Sequence, residues 1–594
     1  MPDWEWEPSL GAIYLDHQRS RFRVWAPQAR SVEIDLQGRR VPLEPREHGT
    51  FEAVIDGAGP GTRYFYSLDG GPGRPDPASR FQPESVHGPS MVIDRRFDWQ
   101  DEGWSGIPLE EHILYELHVG TFTPEGTFEA AIPHLDRLAD LGVTAVELMP
   151  VAQFPGRRNW GYDGVLPYAV QNSYGGPEGL KRLVDACHAR GLAVVLDVVY
   201  NHLGPEGNYL SEFGPYFTDR YKTPWGLALN FDGPDSDFVR RYFVENALQW
   251  IADYHVDGLR LDAVHAIADA SERPFLQELG QEVADLSATL GRPVHVFPES
   301  DLNTLFFLRA REHGGCGFDA QWTDDFHHSL HTLLTGERSG YYQDFGGLDQ
   351  MAKAMAGGFV YTGQSSPFRR RRHGVPADGL AGSRHVVCIQ NHDQTGNRMN
   401  GERLASLVDF ESLKLAAGAV LLSPFLPLLF MGEEYGETAP FLYFVDHSDP
   451  DLVEAVRNGR REELASFGWR EEPPDPQSEE TFERSRLAQS QHESGWHAAL
   501  HAFYQELIRL RKSVPALARP SKEGVEVTAF EAERSILMRR RSGGSEALIV
   551  FNFSEREQRL PLPDGDWRRV LDSAGEAGQG EVRARRSLAV FARG

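Results

Sequence analysis

Hydrophobic and polar residues form two alternating patterns over most of the chain. Between about residues 106 and 514, short β-branched apolar runs alternate with stretches in which apolar residues recur every three or four positions. The first pattern is typical of buried parallel strands, and the second is typical of amphipathic helices that cover them. The predicted strands are 113–122, 143–151, 192–202, 258–264, 293–299, 318–322, 384–392 and 425–432. Eight strands that alternate with helices predict a (β/α)8 TIM barrel.

The intervening helices have recognisable boundaries. Residues 128–142 form an amphipathic pattern that ends at Gly142, and glycine suits the left-handed conformation found after many helices. The stretches 179–191 and 238–256 have the same periodicity. A further helix over 496–513 is expected to close the barrel.

The two ends of the chain have a different pattern. Residues 1–105 contain short alternating runs separated by Gly- and Pro-rich turns, which predicts an N-terminal β-sandwich. Residues 515–594 contain similar runs and predict a small C-terminal β-sandwich. The fold class is therefore α/β, with a barrel domain over 106–514 that carries three long loops, at 152–178, 203–236 and 433–497. These loops contain aromatic residues, so we expect them to form ordered walls of a cleft.

Three carboxylates follow predicted strands at the point where each run becomes polar. They are Asp262 in GLRLDAVHAI, Glu299 in VHVFPES and Asp393 in VVCIQNHD. The carboxyl ends of barrel strands meet at one mouth, where barrel enzymes keep their chemistry. Two carboxyl groups facing one bond can cleave a glycoside, one as nucleophile and the other as acid and then base. The pattern therefore favours a glycosidase, although each residue alone has a structural alternative.

Residues next to these carboxylates in the sequence are expected to influence their pKa values and to bind substrate beside them. Arg260 lies two positions before Asp262, so both side chains point to the same face of the strand, where the positive charge would keep Asp262 ionised. The alternative is a structural salt bridge. Glu299 needs a raised pKa to act as an acid, and apolar enclosure would supply it. His392, beside Asp393, could bind sugar hydroxyls, although an Asx turn is the simpler interpretation of this segment.

Strand three ends in DVVYNH. Asp197 lies within the strand and is expected to orient its neighbours rather than to react. Asn201 could bind Ca²⁺, but no Asp-rich loop accompanies it, and a structural amide is favoured. His202, at the strand exit, could donate to a sugar hydroxyl. We therefore expect no metal ion and no cofactor.

Aromatic residues follow strand two. Trp160 and Tyr162 in NWGYDGV could offer a ring face to a sugar and leave its hydroxyls to polar groups. Five other aromatic residues are weaker candidates for a longer cleft, and ordinary packing is favoured for them: Trp225, Trp322, Phe326, Tyr341 and Tyr342.

Composition excludes several classes of partner. The 594-residue chain has a net charge of −27, which argues against nucleic acid and anionic membrane surfaces. No apolar stretch is long enough to span a bilayer, and no signal peptide is evident. Cys187, Cys316 and Cys388 are widely scattered, as expected of free thiols in a reducing compartment. The expected location is cytoplasmic, and either a monomer or a homodimer is compatible with the sequence.

The ordered set DVVYNH, GLRLDAVHAI, FPES and QNHD resembles the four short motifs of the α-amylase family of glycoside hydrolases. The resemblance covers nearly the whole chain, since WAPQARSVEIDL looks like the N-terminal sandwich of several members. It implies Asp262 as nucleophile, Glu299 as acid/base and Asp393 as transition-state stabiliser. It also implies sugar-binding roles near the cleaved bond for a further set: Tyr162, His202, Arg260, His265 and His392.

Longer segments, including RRNWGYDGVLPYAVQNSYGGPEGL and AQWTDDFHHSLHTLLTGE, resemble the trehalose-releasing hydrolases of that family. The implied substrate is a malto-oligosyltrehalose, cleaved with retention at the α-1,4 bond beside its terminal trehalose unit. A glycogen branching enzyme is the first alternative. Its reaction differs only in the acceptor, since it passes the sugar to a sugar hydroxyl group instead of to water. A debranching enzyme and a non-catalytic glucan-binding protein are weaker alternatives.

Overall fold

A closed parallel barrel occupies the centre of the computed structural model, which describes residues 6–469, 471–560, 562–575 and 582–593. In chain order its strands are Leu114–Leu117, Ala145–Leu148, Ala193–Val198, Gly258–Leu261, His295–Pro298, Gln321–Trp322, His385–Val387 and Leu426–Phe430. Neighbouring strands pair from one to five and from six to eight, and strands one and eight also pair. A single parallel bridge between Glu299 and Trp322 joins strands five and six. The predicted TIM barrel is confirmed.

The observed strands are shorter than the apolar runs that predicted them. Strand one ends at Leu117, and the rest of its run turns into the short helix Val119–Phe122. The predicted helix over 128–142 is also divided, into Phe128–Ala131, a 3-10 turn that contains Pro133, and Leu135–Leu141. Proline lacks the backbone N–H that a continuous helix requires, which explains the interruption. Gly142 ends the last piece at φ 99°, as expected.

Helices cover the outside of the barrel. The longer ones are Gly176–His188, Ser236–Tyr254, Phe275–Leu290, Asp324–Thr335, Leu348–Gly357, Phe410–Leu421 and Gly495–Ser513.

The N-terminal region forms two antiparallel sheets. One contains Gly11–Asp16, Arg19–Trp25, Glu44–Pro45 and Thr50–Asp56; the other contains Val32–Leu36, Arg39–Pro42, Arg63–Leu68, Gly73–Arg74 and Ser90–Met91. This is the expected sandwich. It is attached to the barrel through aromatic packing, because the Trp25 ring stacks on Phe238 with centroids 5.0 Å apart.

The C-terminal region is also a β-structure. A five-stranded antiparallel sheet contains Glu526–Phe530, Ser535–Ser542, Ser545–Asn552, Arg568–Asp572 and Ser587–Arg593. Gln558–Arg559 pairs with Val582–Arg583 beside it. The buried guanidinium of Arg540 donates to the Leu422 and Ser423 carbonyls, each at 3.0 Å, and so ties the sheet to the barrel.

The long loops contain regular secondary structure among the residues that the structure describes. The loop after strand three contains the hairpin Phe217–Thr223 and Gly226–Leu229, and the loop after strand eight contains the helices Pro450–Ser466 and Glu479–Arg484. Within the described residues, every helix is too short or too polar to cross a membrane. All three cysteines are free thiols.

Candidate active site

The strand register brings two predicted catalytic carboxylates together. Leu261 and Pro298 are paired positions on neighbouring parallel strands, and Asp262 and Glu299 are the next residue on each. The Glu299 backbone N–H donates to the Leu261 carbonyl at 2.9 Å. Asp393 reaches the same mouth from the short helix His392–Gly396, which begins after strand seven. The side chains of Asp262 and Glu299 are 12% and 16% exposed, so both are largely enclosed yet accessible to a ligand.

Arg260 is the central cation of the site. Its Nη1 donates to Asp262 Oδ1 at 2.8 Å and to Asp197 Oδ2 at 2.9 Å, and its Nη2 lies 3.8 Å from Glu299 Oε2. The guanidinium is completely buried and lies over the Trp322 ring, 4.4 Å from its centroid. The predicted contact between Arg260 and Asp262 is present.

This arrangement separates the pKa values of the two carboxyls. Burial would raise the pKa of Asp262, but the positive charge of Arg260 outweighs burial and lowers it. Burial raises the pKa of Glu299, and the negative charge of Asp262 adds to it against the pull of Arg260. One carboxyl is thus prepared as an anion and the other as an acid, a division of roles that glycoside hydrolysis requires.

Backbone and amide groups hold the two carboxyls in place. Asn201 donates from Nδ2 to Asp262 Oδ2 at 2.7 Å and to the Asp262 carbonyl at 2.9 Å, so its amide has the structural role favoured above. Glu299 Oε2 accepts the Ala263 N–H at 2.6 Å. Ala263 has φ 39°, a left-handed conformation that is unfavourable for alanine. It follows Asp262 directly in the chain, so its N–H bond to Glu299 links the two carboxyl-bearing segments.

Tyr162 and His392 complete one wall of the site. The Tyr162 hydroxyl donates to Asp197 Oδ2 at 2.6 Å and lies 2.8 Å from His392 Nε2. The same histidine nitrogen is 3.5 Å from Asp393 Oδ2. The Asp393 side chain is 43% exposed and faces the open mouth. The structure therefore brings Tyr162, His392 and Asp393 together as predicted.

His202 and His265 lie at the edge of this group. Both ring nitrogens of His202 face protein oxygens, Nδ1 toward the Asn201 side chain and Nε2 toward the Tyr162 carbonyl at 3.0 Å. The expected hydroxyl donation from His202 would therefore require one of these contacts to break. His265 is exposed, in the 3-10 turn Val264–Ala266 that follows Asp262.

The expected stacking of a sugar on Trp160 is not supported. Trp160 is only 4% exposed, and its ring stacks on Phe441 with centroids 5.2 Å apart. Its Nε1 donates to the Leu442 carbonyl at 2.8 Å. It also contacts His392 edge-to-face at 5.7 Å, so its place is in the packing behind the site. The sequence does not reveal this burial because the covering residue lies almost three hundred positions away.

Three residues at the site have more importance than the sequence analysis gave them. Trp225 is 49% exposed at the hairpin of the loop after strand three and stacks on His202, with centroids 4.5 Å apart. Glu116 and Glu147 lie in strands one and two and point into the barrel beneath His392. A single acidic residue inside an apolar strand, as in YELHV and AVELM, is the signal that could have identified them.

Across residues 6–469 and the described parts beyond, no three His, Cys, Asp or Glu side chains are arranged to hold a metal ion.

Comparisons with known proteins agree with this geometry. Residues 92–224 match the model of the alpha amylase catalytic domain, and residues 9–81 match carbohydrate-binding module 48, the isoamylase N-terminal domain. Residues 522–590 match a domain of unknown function, DUF3459. The crystal structure of a putative alpha amylase from Salmonella typhimurium superposes with a TM-score of 0.92 at 41% identity, covering 99% of this chain and 100% of that one.

Curated relatives of this chain include two that are named malto-oligosyltrehalose trehalohydrolase. The malto-oligosyltrehalose trehalohydrolase of Saccharolobus solfataricus is 50% identical over 84% of this chain and 86% of its own length. That of Arthrobacter ramosus is 50% identical over 85% of this chain and 88% of its own. The barrel, its mouth and these matches define a glycoside hydrolase of the α-amylase class. Within that class, the chain belongs to the malto-oligosyltrehalose trehalohydrolase family.

Proposed function

We propose that the protein hydrolyses the α-1,4 bond beside the terminal trehalose unit of a malto-oligosyltrehalose, with Asp262 as nucleophile and Glu299 as acid and base. The observation that carries these roles is the position of Arg260, with Nη1 2.8 Å from Asp262 Oδ1 and Nη2 3.8 Å from Glu299 Oε2. The lowered pKa of Asp262 favours the anion that attacks, and the raised pKa of Glu299 favours the acid that protonates the leaving group. The named relatives support the choice of bond and product.

The reaction has two steps. In the first, the Asp262 carboxylate attacks the anomeric carbon of the glucose being cleaved, while Glu299 gives its proton to the departing trehalose oxygen. The bond to trehalose breaks and a bond between Asp262 and the sugar forms. In the second, ionised Glu299 takes a proton from water, whose oxygen attacks the same carbon and releases Asp262. The products are trehalose and a malto-oligosaccharide, and Glu299 is protonated again.

The remaining groups assist this sequence. Arg260 stays bound to Asp262 and keeps the carboxylate a weak base until it attacks. Asp393, exposed at the mouth and held 3.2 Å from Asn397 Nδ2, is available to the sugar hydroxyls of the oxocarbenium-like transition state. Trp225, half exposed beside His202, offers an open ring face to a sugar.

The three free cysteines favour a reducing compartment, so the cytoplasm is the proposed location.

Product analysis tests the proposal. Purified protein is incubated separately with maltotetraosyltrehalose and with maltohexaose, and the products are separated by chromatography. Rapid release of trehalose from the first, with little action on the second, is the expected result. Longer or branched products would indicate a transferase, and equal cleavage of both would indicate a general amylase. Glu299→Gln is the control that separates this activity from a contaminant, because it should remove the release of trehalose.

A further inference from the structure

A chain of hydrogen bonds runs beneath the catalytic mouth. It begins at Glu116, which takes no part in the two reaction steps described above. Glu116, in the first barrel strand, is 1% exposed and accepts two hydrogen bonds from one residue, His392. Its Oε1 lies 2.5 Å from His392 Nδ1, and its Oε2 accepts the His392 backbone N–H at 3.0 Å. The carboxylate therefore binds both the ring and the backbone of His392.

The other end of the chain determines the direction of its hydrogen bonds. Asp197 Oδ2 accepts from Arg260 Nη1 and also from the Tyr162 hydroxyl, which lies 2.6 Å from the same oxygen. The hydroxyl has one proton, and its oxygen is then an acceptor toward His392 Nε2 at 2.8 Å. His392 consequently faces acceptors on both sides, Tyr162 at Nε2 and Glu116 at Nδ1. A histidine with both nitrogens donating is an imidazolium.

We propose that Glu116 is a positioning residue that holds His392 as an imidazolium, and that this cation in turn orients Asp393 and Tyr162 in the site. The roles of the catalytic carboxyls in this proposal rest on the proposed function. The charge of His392 does not depend on it.

The other groups that face His392 agree with a cation at this position. Asp393 Oδ2 is 3.5 Å from Nε2 on the open side. Burial opposes the charge, but Asp393 and Glu116 together outweigh it and raise the pKa of His392 to about 9, against an opposing effect of Arg260. The flanking rings of Trp160 and Trp322 have no charge and exclude water. His118, also nearby, has its pKa lowered to about 4 by burial and is neutral.

Glu147 is a matched control. It pairs in register with Glu116 on the adjacent strand and is equally buried, at 1% exposure. In the described part of the chain its two carboxyl oxygens have no hydrogen-bond partner. Burial, together with the nearby negative charge of Glu116, raises its pKa well above the ordinary value, which favours the neutral acid that Gln mimics in shape.

The test is a titration of His392 followed by NMR in protein labelled with ¹⁵N-histidine. The His392 signals are assigned by their loss in His392→Gln. We expect both ring nitrogens of the wild-type and of Glu147→Gln to be protonated at pH 7.5, and the midpoint in Glu116→Gln to fall by about one unit or more. A neutral His392 in the wild-type at pH 7.5 would overturn the proposal, and so would equal shifts in the two variants. The wild-type result decides the charge even if Glu116→Gln fails to fold.

A double-mutant cycle measures the consequence for the reaction. Glu116→Gln should lower kcat/KM about 10- to 100-fold, the effect of losing hydrogen bonds to a charged group. Because Glu116 acts through His392, the double variant Glu116→Gln/His392→Gln should be no slower than His392→Gln alone. Losses that multiply fully would show that Glu116 acts elsewhere. Because the titration uses free protein, it does not depend on whether trehalose is the product, so the two proposals can fail separately.

Discussion

Arg260 and Asp262 lie two residues apart on one strand, and their side chains meet with Nη1 2.8 Å from Oδ1. At this contact a completely buried guanidinium lies next to a carboxylate that is 12% exposed. Since the same guanidinium also binds Asp197 and approaches Glu299, one cation opposes the effect of burial on the pKa values of three acids. Most of the predictions below depend on this arrangement.

Replacing Arg260 should change the pH dependence of the reaction. Asp262 must be ionised, and its lowered pKa means that activity is lost only when the pH falls through a low value. Arg260→Lys keeps a charge but loses the fixed geometry, and Arg260→Met removes the charge. We expect the acid limb of kcat/KM to move to higher pH by about 1–3 units in Arg260→Met and by less in Arg260→Lys. An unmoved acid limb in a folded Arg260→Met enzyme would remove Arg260 from the control of Asp262.

Glu299→Gln should abolish proton donation with little change in shape. General acid–base assistance accounts for about 10²–10⁴-fold in rate, so kcat should fall by that order while thermal unfolding stays close to wild-type. The loss should be smaller on a substrate whose leaving group needs no proton, such as a glycosyl fluoride. Equal losses on both substrates would indicate a damaged site and not a missing acid.

Tyr162→Phe should disconnect His392 from Asp197. The substitution leaves the ring packing intact but removes a hydroxyl that serves both residues, at 2.6 Å and 2.8 Å. Leaving buried polar groups without a partner costs about 1–3 kcal/mol, part of which should appear as a lower kcat/KM and part as a lower melting temperature. Kinetics and calorimetry on the same preparation measure both parts. A variant indistinguishable from wild-type in both would mean that the hydroxyl is not needed.

Two tryptophans near the site should behave in opposite ways. Trp160 is buried, so Trp160→Ala should destabilise the fold by about 3–5 kcal/mol. Trp225 is 49% exposed, so Trp225→Ala should leave the melting temperature nearly unchanged and raise KM for long substrates. Denaturant unfolding and steady-state kinetics of the two variants test this contrast. A KM effect confined to Trp160→Ala would reverse the two assignments.

Much of the architecture could be predicted because strands buried on both faces appear as continuous apolar runs. The three carboxylates were found for the same reason, since each lies where such a run ends. The contact of Tyr162 with His392 could not be predicted, because the residues are 230 positions apart and only barrel closure brings them together. Burial of Trp160 depends on a distant loop in the same way. The acidic residue within the apolar strand marks Glu116 as unusual, but its partner could not be predicted, because His392 lies 276 positions away.

The stereochemistry of the reaction tests the central claim, that Asp262 forms a covalent bond to the sugar while Glu299 acts as acid and base. ¹H NMR can follow the anomeric protons during the first minutes of cleavage of maltotetraosyltrehalose, before mutarotation. The account predicts that the new reducing end of the malto-oligosaccharide appears first as the α-anomer, because two displacements retain the configuration. First appearance of the β-anomer would require direct attack by water and would contradict the assignment of Asp262 as nucleophile.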